Sequence, residues 1–204
     1  MFVSFEGIDG CGKTTQLRLL AAWLEDGGHP VVVTREPGGT SLAEGVRALI
    51  LHPGAPLSPT TELLLFGAAR AQHVAEIVKP ALEGGAWVLS DRFADSSLAY
   101  QGGGLGLDTG FISAMNAFAT AGLRPELTLL FDVDPAIGAR RRHGELEDQI
   151  EARGLPFQER VRARYLELAR SEPGRFIVID ATPDPATVAG AVRRAVVDRL
   201  ASAA

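Results

Sequence analysis

The sequence predicts an α/β fold built on a parallel sheet, and three observations carry that prediction. Five short β-rich runs, at 2–5, 31–34, 87–90, 127–131 and 176–179, alternate with helical stretches, which is the pattern of βαβ units. The runs are continuously apolar rather than alternating, as strands are when helices cover both faces of a sheet. The first run leads directly into Gly7-Ile8-Asp9-Gly10-Cys11-Gly12-Lys13-Thr14, which fits the phosphate-loop pattern G-x-x-x-x-G-K-[ST] at every fixed position.

Each element then has a local reason. The loop glycines allow close backbone approach, so consecutive N–H groups can point into one concavity and hold phosphate oxygens with the positive end of the next helix. Lys13 supplies a point charge to the β- and γ-phosphates and the Thr14 hydroxyl a Mg²⁺ ligand. Thr15-Gln16-Leu17-Arg18-Leu19-Leu20 opens that helix, over 14–25, with an apolar stripe. Asp26-Gly27-Gly28 ends it before the second strand. A helix over 41–51 stops at Pro53-Gly54-Ala55-Pro56. The next, over 61–71 and on toward 82, carries Leu63-Leu64-Leu65-Phe66 and Ala68-Ala69. It is apolar nearly all round, so it is expected to be buried in the domain or against a second copy in a homodimer. Gly84-Gly85 precedes the third strand, and Gly102-Gly103-Gly104 reads as a break. Helices over 109–121, 135–142, 157–169 and 186–200, with a break at Pro173-Gly174, complete the chain.

At 204 residues the chain reads as one domain with no linker and no internal repeat. Hydrophobic residues at 46% and charged ones at 22% fit an ordinary globular protein. No apolar stretch approaches the roughly 18 residues that span a bilayer, and no secretory leader is visible, so a cytoplasmic protein is expected. The single cysteine, Cys11, has no partner for an internal disulfide and reads as a small residue that fits the loop. A net charge of −5 gives no general attraction to nucleic acid and favours a nucleotide over a polynucleotide. His29, His52, His73 and His143 have no ligand partners at metal-site spacing and read as surface or packing residues. Trp23 and Trp87 read as core or semi-buried aromatics. The arginines are uneven: Arg140-Arg141-Arg142 are adjacent, with Arg153, Arg160, Arg162 and Arg164 close behind. Such a run is usually a solvated helix face, and the phosphate loop raises the weight of a phosphate-binding role for some of them.

Each strand is followed at once by polar residues: Glu6, Arg35-Glu36, Asp91-Arg92, Asp132 and Asp180. In open α/β sheets the ligand crevice lies beyond the carboxyl ends of the strands, so these positions are expected to converge near the phosphate loop. The base-reading Asn-Lys-x-Asp of GTPases is absent. Asp91 can hold a Mg²⁺-bound water, and Arg92 can make forked bonds to phosphate. Phe66 and Arg70 lie one helical turn apart on one face.

With Thr34-Arg35-Glu36-Pro37-Gly38-Gly39-Thr40, Phe66-x-x-x-Arg70, the stretch from Asp91-Arg92-Phe93 through Ala99-Tyr100-Gln101-Gly102-Gly103-Gly104, Pro125-Glu126-Leu127-Thr128-Leu129 and Arg162-Ala163-Arg164-Tyr165-Leu166, the chain resembles the bacterial thymidylate kinases almost from end to end. The resemblance implies the nucleoside monophosphate kinase version of the P-loop fold, a three-layer α/β/α structure. Its five-stranded parallel sheet would have the order 2-3-1-4-5, with a lid at about 140–156. It implies transfer of the ATP γ-phosphoryl group to dTMP with Mg²⁺, giving dTDP on the way to dTTP. Gly7 through Thr15 would bind ATP. Phe66 would stack on thymine, Arg70 bond its O4, and Ser97 and Gln101 reach the base from the other side. Tyr100 would crowd the sugar 2′ position and Asp9 meet the 3′-hydroxyl. Arg92, Arg47, Glu36 and Ser96 would surround the acceptor phosphate.

A phosphoryl group moving between two anions needs positioning and positive charge. Relatives with an arginine in the phosphate loop draw the last charge from it, but here that position is Gly10, so a lid arginine is expected to supply it. Arg142 and Arg141 rank above Arg153, and Arg141 aligns with a family arginine near the adenine. The lid departs from close relatives in being shorter over 140–146 and in carrying Gln149 within Asp148-Gln149-Ile150-Glu151. Another nucleoside or nucleotide kinase of this fold, or a slowly hydrolysing nucleotide switch, stays open as an alternative.

Overall fold

In the computed structural model, which describes residues 1–52, 54, 56–142 and 149–203, five parallel strands form one sheet in the order β2-β3-β1-β4-β5. They are β1 (Phe2–Glu6), β2 (Val31–Arg35), β3 (Trp87–Asp91), β4 (Leu127–Asp132) and β5 (Phe176–Asp180). Each runs one residue further than its apolar run, because the polar residue at the carboxyl end still pairs. Arg35 lies opposite Asp91, and Asp132 opposite Asp180. The central strands β1, β3 and β4 are buried along almost their whole length. The edge strands are less covered, with Val33 and Val178 about half exposed, so two-sided burial holds only at the centre of the sheet.

The helices are α1 (Lys13–Asp26), α2 (Ser41–Leu51), α3 (Pro59–His73), α4 (Lys79–Glu83), α5 (Ala94–Ser97), α6 (Thr109–Ala119), α7 (Pro135–Arg141), α8 (Leu155–Ser171) and α9 (Pro185–Ala203). Thr40 and Ser58 accept from the backbone N–H three residues on, which caps α2 and α3. Asp108 and Asp134 do the same service for α6 and α7. A π-helical turn, Val74–Val78, joins α3 to α4.

The Gly102-Gly103-Gly104 stretch is not a break. It ends a second π-helical turn, Leu98–Gly104, that continues α5 and packs on α8. A Cβ on Gly103 would come within 2.5 Å of the Arg164 side chain, and one on Gly104 within 2.4 Å of the Phe157 ring. These glycines let two helical segments touch, a packing role that reads like a turn in sequence.

Candidate active site

The carboxyl ends of the strands open into a cleft of about 840 Å³, a size suited to small-molecule ligands. The phosphate loop forms its floor. Gly12, at φ 91°, turns the chain into α1, and no side chain caps the first N–H groups of that helix. Lys13 is buried and donates to the carbonyls of Gly7 at 3.1 Å and Ile8 at 2.9 Å. The Thr14 hydroxyl donates to Asp91 Oδ2 at 2.5 Å, so two hard oxygen donors face each other beside Lys13. Thr15, Gly10, Cys11 and Gly12 line the same floor, and Gly7 and Ile8 contribute backbone beneath it.

Gly10 is closed to any side chain. Its φ is +76°, and a Cβ there would meet the Gly138 carbonyl oxygen of α7 at 2.2 Å. A Cβ on Gly138 would in turn meet the Asp9 carbonyl oxygen at 2.6 Å. The loop and α7 therefore interlock backbone to backbone. An arginine at position 10 would have to displace α7.

One wall of the cleft is centred on Arg92, which sits in the left-handed region at φ 74°. Holding a residue with a β-carbon there costs of order 1–3 kcal/mol, and its surroundings over-determine it. Its guanidinium donates to the Gly7 carbonyl, to an Asp9 carboxylate oxygen and to the Tyr100 hydroxyl, and lies 4.8 Å from the Tyr100 ring centroid. The Tyr100 hydroxyl donates to the other Asp9 oxygen at 3.0 Å, as does Gln158 Nε2 at 3.1 Å. Burial pushes the Asp9 carboxyl up, but the charges of Arg92 and Lys13 and these two hydrogen bonds outweigh it, so Asp9 titrates below the usual carboxylate range. Burial also opposes charge on Arg92, and the acidic groups of Tyr100, Asp9, Tyr165 and Asp91 more than offset it.

Behind Arg92 lies Glu6, fully buried at the end of β1. It accepts from the Phe93 N–H, the Ser96 hydroxyl and the Tyr165 hydroxyl, each at 2.7 Å. Burial, helped by the nearby Asp95 carboxylate, pushes its pKa up to about 7 against the pull of those hydroxyls and Arg92. Burial likewise pushes the Tyr100 and Tyr165 phenols well above their ordinary range.

Arg70 is 1% exposed and does not line the cleft. It donates from Nε to Glu36 Oε2 at 2.7 Å, and from Nη1 to Ser97 Oγ at 3.0 Å and Asn116 Oδ1 at 2.6 Å. Ser97 stands with it, behind the wall that Phe66 and Gln101 form. Glu36 also accepts from His73, whose other ring nitrogen bonds Thr34 Oγ1 at 2.7 Å. His73 is thus a buried polar link and not a surface residue. Arg47 lines the cleft and donates to the Pro37 carbonyl at 3.0 Å, and Ser96 lines it beside Arg92.

At the other end of the cleft, Arg141 donates to the carbonyls of Ala181 at 2.9 Å and Thr182 at 3.0 Å. Arg142 also lines the cleft there, as do Pro183, Asp184 and Pro185. The remaining arginines of the run turn elsewhere. Arg153 pairs with Glu62, Arg160 with the Gly104 carbonyl, Arg162 with both Asp132 oxygens and Arg164 with Glu167. Of the polar strand ends, Arg35, Glu36, Asp91 and Arg92 reach the cleft wall. Glu6 sits beneath that wall, and Asp132 is turned onto Arg162. Asp180 is exposed and accepts from the Thr182 N–H. Within the lid stretch at 140–156, residues 143–148, with His143 and Asp148 among them, lie outside the described residues.

Sequence reasoning did not single out Glu62, Asn116, Gln158 or the loop from Thr182 to Pro185. It quoted Tyr165 only as part of a motif. Buried hydrogen-bond partners of this kind have no local signature, since the groups they hold lie far away in the chain.

The model of the family described as thymidylate kinase matches residues 5–191. A thymidylate kinase of Trichlorobacter lovleyi is 47% identical over 209 aligned residues, covering 98% of this chain and 99% of that protein. One of Gloeobacter violaceus is 50% identical, covering 96% of this chain and 94% of the relative. The crystal structure of thymidylate kinase from Ehrlichia chaffeensis matches with a TM-score of 0.78 at 39% identity, over 95% of this chain and 97% of that one. A family match over most of the chain, relatives near half identical from end to end and the same fold in a solved structure agree: the chain belongs to the thymidylate kinase family.

Proposed function

We propose that this protein transfers the γ-phosphoryl group of ATP to dTMP, giving ADP and dTDP. The observation that carries this reading is one continuous cleft, which runs from Arg141 and Thr182 across the phosphate loop to Arg92, Phe66 and Gln101. Two nucleotides entering from opposite ends would meet with their phosphates over Lys13. That is the arrangement in-line transfer needs, where catalysis is mostly positioning and positive charge.

On the donor side, the N–H groups of the loop and Lys13 would hold the β- and γ-phosphates, with Arg141 at the adenine end. Thr14 and Asp91 fit Mg²⁺, a hard cation that takes few protein oxygens and keeps phosphate and water ligands, with Asp91 acting through water. When bound, Mg²⁺ would neutralise charge on the transferring phosphate oxygens. On the acceptor side, Arg92 would hold the dTMP phosphate, with Arg47, Glu36 and Ser96 around it. Phe66 would stack on the base, Gln101 would meet its edge, and Arg70 and Ser97 would act from behind. Tyr100, held by Asp9, would close the 2′ side of the sugar, leaving Asp9 next to the 3′-hydroxyl. Arg142 and Arg141 are the candidates for the charge that Gly10 does not provide. An unphosphorylated nucleoside acceptor would give Arg92 no anion to hold, which favours a monophosphate.

We also infer a homodimer. Leu42 and Leu49 on α2, Leu64 on α3, and Phe111 and Phe118 on α6 are exposed, and α3 packs against both α2 and α6, so this side of the molecule would suit a second copy. A single monomeric species in sedimentation at micromolar concentration would contradict that. No described helix is long and apolar enough to cross a membrane. A cytoplasmic location, with the ATP pool, is the one these proposed substrates favour.

Release of ADP, coupled to an optical readout over dTMP, dUMP, dCMP, AMP and thymidine, tests the acceptor. The expected order puts dTMP first. dUMP should trail by about 1–3 kcal/mol in kcat/KM, since only a methyl contact is lost, and dCMP and AMP by far more. Comparable turnover of dTMP and AMP, or of dTMP and thymidine, would overturn the assignment.

A further inference from the structure

Glu62 lies one helical turn before Phe66 on α3, is 1% exposed and does not line the cleft. Its Oε1 accepts from Gln101 Nε2 at 2.9 Å and from Arg153 Nη1 at 3.2 Å, and its Oε2 accepts from Arg153 Nη2. Arg153, which lies 5.0 Å over the Phe157 ring, gives this buried carboxylate its countercharge. An ionised carboxylate is acceptor-only. The amide of Gln101 therefore has one orientation available: its nitrogen must face Glu62, and its oxygen is left for the cleft that Gln101 lines. A free glutamine could present either end.

We propose that Glu62 is a positioning residue that fixes the Gln101 amide with its oxygen toward the acceptor base, and so selects a base bearing an N3–H over one bearing an N3 lone pair. Thymine and uracil donate from N3. Cytosine presents a lone pair there, which would face the lone pairs of Gln101 Oε1 with no proton between them. A site built to pair one hydrogen-bonding edge rejects the opposite edge because its own buried group is left unpaired. This inference rests on the reading that Gln101 meets the acceptor base.

The test compares kcat/KM ratios in Glu62→Gln, with Mg²⁺-ATP held saturating. The variant's amide can accept or donate, which frees Gln101 to turn over. The dTMP-to-dCMP ratio is expected to fall at least about tenfold. The dTMP-to-dUMP ratio should stay within about twofold, because both bases carry N3–H. A purely structural role would lower all three substrates together and leave both ratios in place, which would overturn the proposal. Gln101→Ala separates the role of Glu62 from the placement of the base. If it collapses the dTMP-to-dCMP ratio while Glu62→Gln does not, Gln101 reads the base unaided and only the role of Glu62 fails. If neither substitution moves the ratio, the placement of the base fails as well. Should Glu62→Gln not fold, the double variant Glu62→Gln with Arg153→Gln strands no charge and carries the same readout.

Discussion

The two ends of the cleft hold their cations in opposite ways. On the acceptor side, Arg70 and Arg92 pair with the carboxylates of Glu36 and Asp9, and both pairs are largely sequestered from solvent. On the donor side, Lys13 and Arg141 rest on neutral backbone carbonyls. A hydrogen bond to a carbonyl exchanges readily for one to an anion, which is the stronger, charge-assisted partner. A buried ion pair does not exchange so easily, because the partner left behind is a charge without compensation. On the proposed assignment, the dTMP half would be assembled before any ligand arrives, and the ATP half would be completed by phosphate.

The largest effect that would sharpen this contrast belongs to Arg70. Arg70→Met strands the buried Glu36 carboxylate and is expected to lower folding stability by about 3–5 kcal/mol in denaturant titration. A loss under about 1 kcal/mol would break the picture of a pre-built acceptor wall. Lys13→Met should behave in the reverse sense. It should slow turnover about 10²–10³-fold, the scale set by losing one preorganised group that stabilises developing charge. Its folding stability should change by only about 1 kcal/mol, since the carbonyls it leaves are neutral. Steady-state kinetics and thermal unfolding on the same preparation separate the two.

The last expected effect is a pH dependence. The pKa of Glu6 is near 7 in the folded state, above its ordinary 4.5, so the folded protein binds more protons than the unfolded chain between those values. Its contribution to stability is therefore present near pH 4.5 and is lost as pH rises through 7, by no more than about 3 kcal/mol. Glu6→Gln should remove that slope. Asp9 and Glu172, whose pKa values are lowered, act in the opposite direction and below this window. Unfolding midpoints of wild type and variant from pH 4.5 to 7.5 would show the difference, and parallel curves would contradict it.

The contrast also explains what could be read from the sequence. The phosphate loop was legible because its residues are contiguous: Gly7 to Thr14 is one run that forms one loop on the cleft floor. The sheet was legible for a similar reason, since each strand is a short apolar run. Arg70 stood out in the sequence, but its buried setting did not. Its partners Glu36, Phe93 and Asn116 lie 34, 23 and 46 positions away. They draw its guanidinium back from the cleft wall. Glu62 and Gln158 look like ordinary helix-surface residues in sequence, and only the packing of α3 and α8 buries them against the site. The three glycines at 102–104 read as a turn because nothing local distinguishes a glycine needed for φ from one needed for close approach.

If the paired carboxylates do hold the dTMP half in place, that half is complete in the absence of ATP. Calorimetric titration of dTMP into the nucleotide-free protein, repeated with a saturating non-hydrolysable ATP analogue and Mg²⁺, tests it directly. dTMP is expected to bind in both cases, with dissociation constants within about tenfold, the effect of 1.4 kcal/mol of coupling. Binding of dTMP only when the ATP analogue is present would contradict it.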